Sequence, residues 1–277
     1  MDVGTAASVI AITTGLACVP VFQKVAEQYF DRERALVATY LYFMLPPVFV
    51  FSGINCSEPL FLLFTLLAWL YHLTSRSGRS ALAASLSAIT KTYGILLLIP
   101  LTIAQARKRD LKAVAYLTLP ASTFTGWVLY SYSMTGEIAF LSARSFWQSE
   151  NALLFARSVV ALAQGDSAAP GILYSFLVRY LPQAIAGAAS CAFVLLLAYR
   201  VWKLDRALFI YLIVSVFMIF YFGFVPSFGS FPRYLLFLFP IGLPLYIRRM
   251  RHLAVALAVL TCLDYVAWVA FLTDGFF

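Results

Sequence analysis

Charged residues are scarce in this 277-residue sequence, at 12% against the roughly 25% of a soluble domain. The shortage is sharpest for acids, with 12 Asp and Glu against 20 Lys and Arg, and for histidine, of which there are two. No His/Cys/Asp/Glu group falls at metal-ligand spacing, no Ser/His/Asp order stands out, and none of the 14 glycines builds a phosphate loop. The four cysteines, Cys18, Cys56, Cys191 and Cys262, are scattered, three of them inside apolar runs, which excludes a disulfide framework. The sequence therefore calls for no metal and no cofactor.

What is present is apolar. Hydrophobic residues make up 62% of the chain and aromatics 17%, with a mean hydropathy of +0.88. That composition excludes a water-soluble globule and a disordered chain alike. At about 20 residues per spanning helix there is room for roughly seven to nine helices and one sizeable loop, so no separate soluble catalytic domain fits. The net charge of +8 is read first as a topological signal, because basic residues collect in cytosolic loops of membrane proteins. No nucleic-acid partner is expected; the first partner is the lipid bilayer.

Apolar runs cover about 4–23, 35–51, 58–73, 81–104, 113–133, 183–199, 207–226, 232–247 and 253–273, and a less regular stretch, 136–182, divides them. The first run has no basic residue before it and Lys24, Arg32 and Arg34 after it. This is the reverse of a cleavable signal peptide and places the N-terminus outside the cytosol. The remaining basic clusters are Arg76/Arg79, Arg107/Lys108/Arg109/Lys112, Arg200/Lys203/Arg206 and Arg248/Arg249/Arg251. If every run crossed the membrane, the clusters at 76–79 and 107–112 would fall on opposite sides, and the later clusters would lie on the non-cytosolic side with the second of them.

They fall on one side if 81–104 is a re-entrant helical hairpin broken around Thr90-Lys91-Thr92-Tyr93-Gly94. In that arrangement 15 of the 20 basic residues become cytosolic. Arms of about 10 to 13 residues reach roughly 15–20 Å, half a bilayer or slightly more. The alternative is one 24-residue helix with a snorkelling lysine. The expected fold is thus all-α: a polytopic transmembrane helical bundle of about eight spans plus the hairpin. Residues 1–277 form a single integral membrane domain, with 136–182 on the outer face.

Polar residues without a topological role mark the candidate site, which this topology puts on the non-cytosolic side. Glu58 opens an apolar helix at the expected outer interface. It is either a carboxylate complementing a helix N-terminus behind Pro59, or one facing a water-filled cavity. Lys91 has no acidic residue within a helical turn and sits between apolar arms, where an ionisable group costs several kcal/mol unless it meets water, a partner or an anion. Arg233, outside against the positive-inside bias, is a snorkelling anchor or a phosphate ligand. Arg144, Trp147 and Gln148 lie in an amphipathic stretch that suits either a headgroup surface or a sugar, which favours aromatic faces beside amide and carboxylate groups.

Several pieces in order resemble the PIG-V mannosyltransferase family and its prokaryotic relatives. Gly53-Ile54-Asn55-Cys56-Ser57-Glu58-Pro59-Leu60-Phe61 is similar to that family's "YSE-x-LF" element. Ala88-Ile89-Thr90-Lys91-Thr92-Tyr93-Gly94 is similar to its "LTR-x-x-G" element, after an apolar helix and a short basic turn. Gly136-Glu137-Ile138-Ala139-Phe140-Leu141 through Trp147-Gln148 resembles an outer-loop segment, and Ser230-Phe231-Pro232-Arg233-Tyr234 with Phe239-Pro240 resembles a late "PRY…FP" element. The resemblance runs from about residue 5 to 247.

It implies a GT-C fold and transfer of a sugar, typically mannose, from a polyprenyl-phosphate donor to a glycan or glycolipid acceptor on the lumenal or extracellular face. The membrane would be a prokaryotic cytoplasmic membrane or that of the endoplasmic reticulum. Lys91 and Arg233 would neutralise the donor phosphate, Tyr93, Arg144, Trp147 and Gln148 would face sugar or acceptor, and a carboxylate would take the acceptor proton. Glu58 and Asp2 are the candidates for that carboxylate. The family carries a further N-terminal helix and an acidic outer loop, whereas this chain opens Met1-Asp2-Val3-Gly4 at what reads as a later helix. A truncated gene, a split enzyme with a partner subunit, and a non-catalytic subunit of a glycosylation complex are the three expectations. A transporter or lipid flippase is the alternative from another class.

Overall fold

The structure is a computed structural model that describes residues 2–51, 57–138, 169–223, 235–236 and 238–247 with a few isolated positions beyond. Within the helix that begins at residue 169, side chains are described at 185 and from 188 onward. The described residues form helices and turns, with no strand among them, in line with the all-α expectation. Arg144, Trp147, Gln148, Arg233 and the expected span 253–273 lie outside these residues, apart from isolated positions in the last.

Helix α1, Val3–Ala26, is long and apolar enough to cross a membrane. Asp2 caps it, accepting the Thr5 N–H at 2.7 Å and the Thr5 hydroxyl at 2.8 Å. These bonds hold the Asp2 carboxyl below the usual carboxylate range. α2, Arg32–Phe43, starts at Asp31, whose carboxylate accepts the Arg34 N–H at 2.9 Å. The expected run 35–51 is not one helix: it stops at Met44 and restarts as α3, Pro46–Phe51, because two consecutive prolines cannot continue an α2 hydrogen-bond ladder.

α4, Glu58–Leu73, lies parallel to α1: Cys18 Sγ donates to the Pro59 carbonyl at 3.4 Å, and Trp69 Nε1 reaches Tyr29, just past the end of α1, at 3.0 Å. α5, Ser77–Thr90, turns back along α4, with Ser80 Oγ donating to the Ala68 carbonyl at 2.8 Å and Thr65 bonded to Ser87 at 2.9 Å. The helix breaks at Lys91, which is extended with φ −149° and ψ 136°. A 3₁₀ turn, Thr92–Leu97, follows, and α6, Leu98–Arg107, returns until Gln105 meets His72 at 3.0 Å. Both feet of 77–107 therefore lie at the same end, as the hairpin reading requires.

The two returns are built alike. After α4 the N–H of Arg76 donates to Tyr71 and that of Ser75 to His72; after α6 the N–H of Asp110 donates to Gln105 and that of Arg109 to Ala106. These are paired 6→1 and 5→2 bonds of Schellman caps. Ser75 (φ 57°) and Arg109 (φ 55°) hold the left-handed position that glycine fills most easily. Ser75→Gly is expected to raise stability by about 0.5–1 kcal/mol, seen as a higher midpoint in detergent thermal unfolding.

α7, Leu111–Tyr116, and α8, Thr118–Thr135, divide the expected run 113–133 at Leu117. α9, Ala169–Leu204, is a correction to the sequence reading. Its 36 residues include 169–182, which were expected in the irregular outer segment; Pro182 lies inside the helix without ending it. α10 spans Arg206–Gly223. The expected span 232–247 is a second correction, since its described part, helical at 235–236, goes on as two 3₁₀ turns, Phe239–Ile241 and Leu243–Tyr246. Pro240 and Pro244 remove ladder donors. At Gly242 a Cβ would come within 2.7 Å of the Phe22 and Tyr42 rings, so the backbone itself fills the gap between α1 and α2.

Candidate functional site

Lys91 and Glu58, 33 positions apart, meet at the tip of the hairpin: Lys91 Nζ donates to Glu58 Oε1 at 2.6 Å. The helix break makes this contact. Lys91 leaves the α5 ladder in an extended conformation, and Gly94 lets the following turn press onto the Ser87–Ala88 backbone, where a Cβ would overlap the Ser87 carbonyl. The side chains differ in exposure, 1% for Glu58 and 17% for Lys91. The carboxylate is buried, while the lysine side chain is partly exposed. Tyr93, the next candidate along the turn, packs against the core.

The contact of α4 with Cys18 fixes where the pair lies along α1. α4 begins level with Cys18, about 12 Å along the axis from the Ala26 end of α1 and about 22 Å from its Val3 end. The first turn of α4 therefore packs beside the C-terminal half of α1. Asp2 lies sixteen residues up α1 from Cys18, or about 24 Å, and is engaged as a cap. The structure brings Glu58 and Lys91 together and does not bring Asp2 to them.

Below the pair lie hydroxyl groups that the sequence reading passed over. Thr65 follows Glu58 by seven residues and Ser87 precedes Lys91 by four, spacings that place each on the same helix face as its charged partner. The two hydroxyls bond at 2.9 Å, both residues are buried, and Tyr211 of α10 packs nearby at 1% exposure. The helical spacing was the available signal. Thr65 and Ser87 each sat in a run too apolar to draw attention.

A second polar group ties the helix ends together. Trp69 Nε1 donates to the Tyr29 hydroxyl at 3.0 Å, Tyr29 donates to Asp205 Oδ2 at 2.9 Å, and Asp205 Oδ1 accepts the Ala207 N–H at 2.7 Å to start α10. Burial, then the Asp205 carboxylate, push the Tyr29 phenol well above its ordinary range, so it remains a donor. Arg34 stacks over Tyr246 at 5.7 Å, and Arg251 Nε donates to the Tyr246 carbonyl at 3.0 Å. Representatives of all five basic clusters thereby gather at one end. Tyr29→Phe strands the Trp69 N–H and one Asp205 oxygen, with an expected loss of about 1–3 kcal/mol, measurable by chemical denaturation in detergent.

Among the described residues no three His, Cys, Asp or Glu side chains are grouped to hold a metal ion. No family model, no curated protein and no solved structure matches the chain.

Proposed function

We propose that the chain is a multi-pass membrane protein that transfers a sugar, mannose being the expected one, from a polyprenyl-phosphate donor to an acceptor on the non-cytosolic face. The observation that carries this reading is the Lys91–Glu58 pair at the broken tip of a helical hairpin. Membrane-embedded backbone leaves the helix only where protein covers it or water reaches it. A lysine there needs a compensating anion. Glu58 supplies one, and the Lys91 side chain is partly exposed rather than buried like the carboxylate.

In this reading Lys91 is a donor-phosphate ligand and Glu58 its positioning residue. The bond from the sugar anomeric carbon to the phosphate oxygen breaks, and the bond to the acceptor oxygen forms. Charge then grows on the departing polyprenyl phosphate, where the ammonium stabilises it. The acceptor proton passes to a carboxylate; with Glu58 committed to Lys91, that base is sought among the other acids of the outer face or on a partner subunit. Arg233 remains the proposed second phosphate ligand, on the resemblance alone.

Full-length protein in phosphatidylcholine nanodiscs, given polyprenyl-phosphate [¹⁴C]mannose, tests the reading. Saturable binding displaced by unlabelled polyprenyl phosphate is expected, weakened about tenfold or more by Lys91→Ala, roughly the 1.4 kcal/mol of a lost charge-assisted contact. Binding indifferent to the phosphate, or to Lys91, overturns it. A discontinuous helix with an interior ion pair is also how transporters build a substrate site. Substrate counterflow in liposomes without any transfer product would select that reading.

A further inference from the structure

The feet of the hairpin carry six cations on two touching turns: Arg76 and Arg79 on the first, Arg107, Lys108, Arg109 and Lys112 on the second. The turns are held side by side, since Gln105 reaches His72 at 3.0 Å and a Cβ on Gly78 would sit 3.8 Å from the Tyr116 ring. All six side chains are exposed, and no carboxylate among the described residues forms an ion pair with them. Asp110, the acid between them, is occupied as the cap of α7, accepting the Ala113 N–H at 2.9 Å. Amid the cations stand apolar side chains in the open, Leu111 at 81% and Tyr116 at 42% exposure.

Topology alone does not ask for this arrangement. The positive-inside bias counts charges loop by loop and is indifferent to whether two loops touch. Like charges on adjoining turns repel, and their repulsion is relieved by an anion that bridges them. A leucine and a tyrosine exposed among arginines and lysines form the surface that settles into a headgroup layer, the apolar groups entering the acyl boundary while the cations meet phosphate.

We infer that this patch binds the phosphate headgroups of anionic phospholipids in the cytosolic leaflet and so pins both feet of the hairpin to the membrane surface. The inference rests on the membrane-spanning part of the proposed function and not on sugar transfer. It makes the lipid composition beneath the hairpin a determinant of how firmly the Lys91–Glu58 tip is held.

The test uses the full chain extracted from vesicles of equal phosphatidylcholine and phosphatidylglycerol, with retained lipids counted by native mass spectrometry. Wild type is expected to keep phosphatidylglycerol over phosphatidylcholine by about tenfold or more, each cation near the surface contributing severalfold. The preference falls to near parity in Arg76→Gln/Arg79→Gln/Lys108→Gln/Arg109→Gln and is kept in Arg32→Gln/Arg34→Gln. If the fourfold variant does not fold, the double variants Arg76→Gln/Arg79→Gln and Lys108→Gln/Arg109→Gln are each expected to lower it about threefold or more. Parity in wild type, a preference unmoved by these substitutions, equal loss in the Arg32/Arg34 control, or displacement of the lipid by pyrophosphate or RNA overturns the inference. Alkaline carbonate extraction separates the two failures: release of the chain from the vesicles defeats the membrane reading itself, whereas retention without lipid preference defeats only the patch.

Discussion

Glu58→Leu is expected to destabilise the protein by about 3–5 kcal/mol, the largest effect of any single charge removal, and Lys91→Met in the same chain to restore most of that loss. Removing the carboxylate strands an ammonium whose contact, at 2.6 Å, lies beside a 1%-exposed side chain. Removing both charges leaves an apolar pair of similar volume, which interiors tolerate well. The measurement is a double-mutant cycle on thermal or denaturant unfolding in one detergent. Additive effects of the two substitutions would mean that the pair is not coupled. The stable double variant also separates roles, because it keeps the hairpin while losing the cation; in the proposed function it binds no polyprenyl-phosphate sugar, whereas a purely structural pair would leave binding intact.

Gly94→Ala is expected to be the most damaging small substitution, costing about 4 kcal/mol or more. A Cβ at this position overlaps the Ser87 carbonyl and the Ala88 amide nitrogen. Those are backbone atoms inside α5, and no side-chain rotation makes room. The turn would have to lift away from the helix, taking Lys91 from Glu58 and opening the contact of Leu96 and Leu97 with the core. Loss of a monodisperse peak in size-exclusion chromatography, or a large fall in unfolding midpoint, is the expected readout. A Gly94→Ala protein with wild-type stability would show that the chain does not pack against Ser87.

The features legible in the sequence were those fixed by local chemistry. The α4 limits, Glu58–Leu73, coincide with the apolar run bounded by Pro59 and the polar turn at 74–76. The break at Lys91 was legible because charge bookkeeping required both feet of 81–104 on one side and Gly94 marked where the backbone could bend. The pairing of Lys91 with Glu58 was not legible. A lysine scanned for partners within a helical turn has none, and only antiparallel packing of α5 on α4 brings residue 58 to residue 91.

The level of Glu58 along α1, beside Cys18, was equally a matter of tertiary packing that no local sequence signal carries. The less regular stretch 136–182 was set too long at its C-terminal end, since helix α9 already runs from Ala169 through Pro182. The opposite error at 232–247 came from weighting apolar length above Pro240, Gly242 and Pro244, the residues that break the helix.

Side-specific labelling of the hairpin feet tests most directly whether 77–107 enters and leaves on one side and carries Lys91 at its tip. In a background lacking Cys18, Cys56, Cys191 and Cys262, single variants Asp2→Cys, Gly78→Cys and Lys108→Cys are exposed to a membrane-impermeant maleimide before and after permeabilisation. Asp2→Cys is expected to react in intact cells, while Gly78→Cys and Lys108→Cys both react only once the membrane is opened. Reaction of Gly78→Cys and Lys108→Cys from opposite sides would make 81–104 a full span and rule out the hairpin.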